Sequence, residues 1–125
     1  MKKAHFSNKA PRPVGPYSQI VEVGNLFFLA GQIPLTPEGT MREGDIATQT
    51  RQVMDNLRGV LEAAGLTTNH VVRTTIFLAD INDFDAVNKV YGEYFQEPFP
   101  ARSTVQAGKL PKGARIEIDA IAART

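Results

Sequence analysis

PARSTVQAGKLPKGARIEIDAIAA, residues Pro100 to Ala123, reads as strand, loop, strand. In the second strand Ile116, Ile118, Ala120 and Ala122 point one way while Arg115, Glu117 and Asp119 point the other. Such alternation marks a sheet with one apolar face. In the first strand Arg102, Thr104 and Gln106 share a face opposite Ser103, Val105 and Ala107. The stretch thus brings a permanent cation, Arg102, and a carboxylate, Glu117, into one sheet. A guanidinium fork suits a substrate carboxylate gripped at both oxygens. A carboxylate nearby suits the handling of a water or a proton. The bland alternative is an ion pair across the sheet, joined by Arg115 and Asp119.

Upstream, Val71 to Ala79 is a strand rich in β-branched residues and apolar on both faces toward its end. Asn82 or Asp83 then caps a helix running to about Phe95, with Phe84, Val87, Tyr91, Tyr94 and Phe95 as its apolar face. Asn88 falls within that face, either as a satisfied core amide or as the lining of a polar pocket. Pro98 and Pro100 end the segment.

Asp45 caps an earlier helix, whose stripe is Ile46, Thr50, Val53, Leu57, Val60, Leu61 and Ala64. Gly65 closes it, and Gln49, Arg51, Gln52, Asp55 and Arg58 cover its other side. The loop from Pro34 to Gly44 precedes it. Ser18 to Val23 and Leu26 to Gln32 form a hairpin about Gly24-Asn25. In its second strand Phe27, Leu29 and Gly31 face one way, and Leu26, Phe28 and Ala30 the other. Gly31 marks a place where a ligand or another chain approaches the backbone, or else a bulge. Residues 1–17, with Pro11, Pro13 and Pro16, read as an extended strap without a regular ladder. The strap ends on Tyr17, a packed aromatic with its hydroxyl at the surface.

The chain has 125 residues, 42% hydrophobic and 22% charged, which suits a single domain over 1–125. A net charge of +1 gives no electrostatic case for nucleic acid or an anionic membrane. With no cysteine there is no disulfide, thiolate metal site or cysteine nucleophile, in keeping with a cytoplasmic protein. His5 and His70 lie far apart and make no metal cluster alone. No apolar segment follows the two N-terminal lysines as a signal would, and no run approaches the length of a membrane span.

The element order is strand, strand, helix, strand, helix, strand, strand: an α/β (α+β) protein with two helices on one face of a mixed sheet. The strands at Leu26–Gln32 and Val71–Ala79 are apolar on both faces, so the uncovered face is a large apolar patch. The expectation is a homo-oligomer in which bare sheet faces pack together, with clefts at the subunit boundaries.

At these residues the sequence resembles the RidA/YjgF family of imine deaminases, whose members are also labelled endoribonuclease L-PSP. PARSTVQAGKLPKGARIEIDAIA is similar to the family's C-terminal signature, and APRPVGPYSQ and LAGQIPL to two further motifs, in the same order. The resemblance implies a chorismate-mutase-like fold, a homotrimer with sites between subunits, and a further strand lying between the last two. It implies that Arg102 grips a substrate carboxylate and Glu117 positions or activates a water, with Tyr17, Gly31, Asn88 and Thr104 in the pocket. Two residues depart from the family pattern: Ala30 stands where a serine is frequent, and Thr104 where a cysteine is. The implied activity is hydrolysis of 2-aminoacrylate/2-iminopropionate to a 2-keto acid and ammonia, without metal or cofactor, protecting pyridoxal-phosphate enzymes. Three other readings are a deaminase of a larger imine, a carboxylate-binding or chaperone-like protein, and an endoribonuclease or translation inhibitor. The last has no basic patch or stacking platform to support it.

Overall fold

The alternation at the C-terminal end builds the middle of the sheet. The computed structural model describes residues 1–124. Its strands are β1 (Lys3–His5), β2 (Ile20–Val23), β3 (Leu26–Gln32), β4 (Val71–Leu78), β5 (Ala101–Gln106) and β6 (Ile116–Ala123). Helix α1 (Ile46–Ala63) lies between β3 and β4, and α2 (Phe84–Gly92) between β4 and β5. The six strands run in the order β1-β2-β3-β6-β4-β5. All neighbours are antiparallel except β4 and β5, which are parallel. A parallel pair needs a crossover, and α2 supplies it. The last two strands are therefore no hairpin: β4 separates them, as the family resemblance implied.

One face of the sheet is the core. Ile116, Ile118, Ala120 and Ala122 of β6 are buried there with Phe27 and Leu29 of β3 and Ile76 and Leu78 of β4. Helix α1 lays Val53, Leu57, Val60 and Leu61 on this face, and α2 adds Val87 and Tyr91. Asp45 caps α1 by accepting from the Thr48 N–H at 2.9 Å. Gly65 closes it at φ 76°, and the Leu66 N–H reaches back to the Leu61 carbonyl at 2.9 Å. On the opposite face Leu26, Phe28 and Val105 remain more than 40% exposed, alongside Ile121, Phe77, Glu117 and Asp119.

Five sequence expectations need correction. The strap over residues 1–17 does carry a ladder: Lys3–His5 pairs with Ile20–Glu22, anchored by the His5–Glu22 contact at 2.8 Å. Helix α2 ends at Gly92, not Phe95, and a short 3-10 turn at Ile81–Asp83 leads into it. Asp83 makes no side-chain cap there, because its carboxylate accepts from Arg115 at 3.2 Å. Gln49 and Gln52 are buried, with Asn56 beside them, rather than spread over a solvated side of α1. Finally, Gly31 does not share the Phe27–Leu29 face. Leu29 pairs with Ala120 but Gln32 pairs with Ile118, so three steps on β3 answer two on β6. That bulge changes the phase of the strand and turns Gly31 toward Glu117 on the open face.

Candidate functional site

The residues singled out from the sequence gather in two clefts of one chain. The first, about 420 Å³, holds Tyr17, Ala30, Gly31 and Glu117, with Gln19 and Lys112 also lining it. The second, about 270 Å³, holds Asn88 and Arg102, with Tyr91, Phe99 and Pro100. Thr104 lies two residues beyond Arg102 on the same face of β5.

Strand register explains the separation. Thr74 of β4 pairs with Arg102 on one side and with Ala120 on the other, and all three face the helices. Phe77 of β4 pairs with Glu117, and both face away from the helices. Arg102 and Glu117 thus belong to one sheet and opposite faces of it.

Around Arg102 the packing is aromatic. Its guanidinium carbon lies 5.0 Å from the Tyr91 ring centroid and 5.4 Å from that of Phe84. Such rings hold the planar cation without neutralising it. Tyr91 is held in turn by a 2.7 Å hydrogen bond between its hydroxyl and that of Thr74. Burial pushes the Tyr91 phenol above its usual pKa, so it stays neutral beside the guanidinium. Arg102 makes no ion pair among the described residues. The Asn88 Oδ1 and Thr104 Oγ1 atoms are buried with no hydrogen-bond partner in the chain. Buried polar atoms are nearly always paired, so these two, beside an arginine without an ion pair, leave hydrogen-bonding capacity open on this side of the sheet.

Glu117 sits on the other face in a different environment. Burial, then the like charge of Asp119 two residues along the same strand, push its carboxyl above the ordinary value. No side chain or backbone N–H hydrogen-bonds it among the described residues. The bulge brings β3 so close that a Cβ on Gly31 would overlap the carboxylate, lying 3.0 Å from its Cδ. Glycine at this position leaves the carboxylate its space, and its φ is unexceptional. Tyr17 lines this cleft and is 52% exposed, more open than the packed aromatic read from the sequence.

Two sets of positioning residues escaped the sequence reading. Gln19, 2% exposed, accepts from the Ser7 N–H at 2.7 Å and donates to the carbonyls of Ser7 and Pro11 at 3.1 and 3.0 Å. Its own carbonyl accepts from the Ala30 N–H at 2.9 Å, so one residue ties the proline strap to the cleft wall. On α1, Asn56 donates to the carbonyls of Ile33 and Leu35 at 3.3 and 2.8 Å and accepts from Gln52 at 2.9 Å. Gln49 donates to the Arg42 carbonyl at 3.1 Å and accepts from the Arg115 N–H at 3.2 Å. These amides hold the loop after β3, whose Ile33 and Leu35 line the Glu117 cleft. The only sequence signal was a helix with more polar residues than an exposed face requires.

No group of histidine, cysteine, aspartate and glutamate side chains suited to a metal occurs among the described residues, and no helix is long and apolar enough to cross a membrane.

Comparison with known proteins agrees with this architecture. Residues 7–124 match the family described as endoribonuclease L-PSP. A RutC family protein of Pyrococcus horikoshii is 51% identical, with 98% of each chain aligned. The 2-iminobutanoate/2-iminopropanoate deaminase of Escherichia coli K12 is 45% identical over 99% of each. Among solved structures, E. coli TdcF with bound serine superposes with a TM-score of 0.93 at 38% identity, covering 98% of this chain and 99% of that one. The chain belongs to the endoribonuclease L-PSP family, the family of the RidA/YjgF imine deaminases.

Proposed function

We propose that this protein is a cytoplasmic hydrolase of small 2-imino acids, 2-iminopropionate and 2-iminobutanoate, and works as a homotrimer. The observation that carries this reading is the separation of Arg102 from Glu117 across one sheet, in two clefts neither of which holds both. In the homotrimer the Arg102 cleft, beside the edge strand β5, meets the Glu117 cleft on the open face of a neighbouring copy. The 45% identity to an E. coli imine deaminase supplies the reaction class.

In that joined site Arg102 binds the substrate carboxylate with both guanidinium nitrogens. The Asn88 amide and Thr104 hydroxyl, unpaired in the single chain, hydrogen-bond the ligand. The protonated imine carbon is already electrophilic. Water adds to it and Glu117 takes the proton, giving a neutral carbinolamine hydroxyl. Glu117 then returns the proton to the nitrogen and takes up the hydroxyl proton as the C–N bond breaks, so a 2-keto acid remains and ammonia leaves, carrying that last proton away as ammonium. A raised pKa makes Glu117 a stronger base than an ordinary carboxylate, and less of a driving-force mismatch remains near neutral pH. The balance closes with water alone, so no cofactor is called for. Removing such imines would protect pyridoxal-phosphate enzymes, which they attack.

The test is a coupled assay. A serine or threonine dehydratase generates the imine, semicarbazide traps what survives, and semicarbazone formation is followed with and without the protein. A fall in trapped imine that disappears in Arg102→Ala supports the reading. Unchanged trapping with folded protein points instead to a larger imine or to carboxylate binding without turnover.

A further inference from the structure

Lys112 is the only non-glycine residue with a positive φ among those described, at φ 57° and ψ 25°. An L-residue in this region brings its Cβ against the following carbonyl, so glycine is the residue the position favours. The loop enforces the conformation from both sides. Pro111 sets the preceding φ, and Gly113 follows at φ 71°. The Gly113 N–H donates to the Leu110 carbonyl at 3.3 Å and the Ala114 N–H to that of Pro111 at 3.1 Å. Glycine at 112 would make the same turn without strain, so what lysine adds must lie in its side chain. Backbone strain of this kind gathers at functional sites.

That side chain borders the cleft containing Glu117. It makes no ion pair or hydrogen bond among the described residues. Arg12, the other cation lining the cleft, is engaged with the Phe6 ring at 5.6 Å. Nor does Lys112 serve Glu117, whose carboxyl is shifted by burial and Asp119 with no cation offsetting them. A lysine held in a strained backbone turn, its ammonium uncommitted, therefore lines an otherwise largely apolar cleft.

We infer that Lys112 is a substrate-positioning residue: its ammonium meets the carboxylate of an anionic ligand at the mouth of the Glu117 cleft and shares it with Arg102 of a neighbouring copy. The inference rests on the proposed imino-acid reading for the identity of that anion. Lysine suits the task because a point charge on a flexible stem follows an anion from the rim inward, whereas an arginine fork holds it in one geometry.

Three variants separate strain from charge: Lys112→Gly, Lys112→Gln and Lys112→Arg. Each is measured for melting temperature, for kcat and KM in the dehydratase-coupled assay, and for affinity toward 2-oxobutyrate by calorimetry. Lys112→Gly should melt roughly 2–4 °C higher than wild type, since it removes the left-handed penalty. It should also raise KM roughly fivefold or more, with kcat little changed. Lys112→Gln keeps the strain and loses the charge, so it should melt as wild type but raise KM equally. Its KM should also respond less to added salt. Lys112→Arg should restore most of the affinity. Wild-type KM and keto-acid affinity in Lys112→Gln would overturn the inference while leaving the deaminase reading standing. Absent turnover in wild type, with keto-acid binding still lost in Lys112→Gln, would overturn the deaminase reading alone. A wild type that binds no keto acid and turns over no imine would overturn both.

Discussion

Arg102 and Glu117 lie two strands apart in one sheet, with β4 between them, and project from opposite faces of it. No rotamer brings the two groups together within a chain, because the sheet itself is the barrier. A site using both must draw them from different copies.

Subunit complementation tests this directly. Arg102→Ala and Glu117→Gln should each abolish imine deaminase activity when purified alone. Unfolded together in equal amounts and refolded, they should recover about a quarter of wild-type activity, the share of random interfaces that pair an intact arginine with an intact glutamate. Activity no higher than that of the separate variants would mean that the two residues do not serve one intersubunit site.

Gly31→Ala probes the close approach at the bulge. The added methyl would occupy space now taken by the Glu117 carboxylate, whose flexible end can move aside. The cost in stability should be modest, about 1 kcal/mol, as for other small overpacking changes. The cost in activity should be much larger, roughly tenfold or more, since a carboxylate displaced by an ångström no longer aims a water. Parallel melting and turnover measurements would separate the two effects.

The raised pKa of Glu117 has two signatures in pH. A general base works when ionised, so kcat/KM should fall as pH drops through a value higher than that of an ordinary glutamate. Asp119→Asn removes the like charge and should move this acid limb to lower pH, though not fully, because burial is the larger cause. Stability runs the other way. A carboxyl whose folded pKa is raised binds its proton more tightly folded than unfolded, so folding weakens as pH rises from the unfolded value through the folded one. Glu117→Gln should melt above wild type at about pH 7 and no longer do so at about pH 4, below the unfolded value. Thermal melts across that range would reveal the crossover.

Thr74→Val tests the support beneath Arg102. The change keeps the shape but leaves the buried Tyr91 hydroxyl without its 2.7 Å partner. It should cost roughly 1–3 kcal/mol. Because Tyr91 forms one wall around the guanidinium, KM should rise as well, which a purely structural loss elsewhere in the core would not cause.

Much of this was legible in the sequence because alternation and capping are local. Ile116 to Ala122 gave the buried face of β6, and Asp45 and Gly65 gave both ends of α1. What periodicity could not convey was non-local. Gly31 follows the strand's alternation on paper, and only the pairing of Gln32 with Ile118 shows that the phase has slipped. Gln19, Gln49 and Asn56 look like surface polar residues because their carbonyl and N–H partners lie in loops outside their own elements, and Gln52 is drawn in by its bond to Asn56. The faces of Arg102 and Glu117 were each readable, yet their opposition was not. It depends on β4, a strand from the middle of the chain, entering between the two strands that carry them.

That insertion also shapes how the molecule comes together. β6 is the last strand in chain order, yet it is the one that joins β3 to β4. Until it is in place the growing polypeptide is two unconnected pieces, a hairpin side and a parallel pair, each with a bare hydrogen-bonding edge beside an apolar surface. Collapse before Ile116–Ala123 has been synthesised would offer those edges to each other or to other chains. Productive folding must therefore wait for the final strand, and the step that closes the sheet is also the step that installs Glu117.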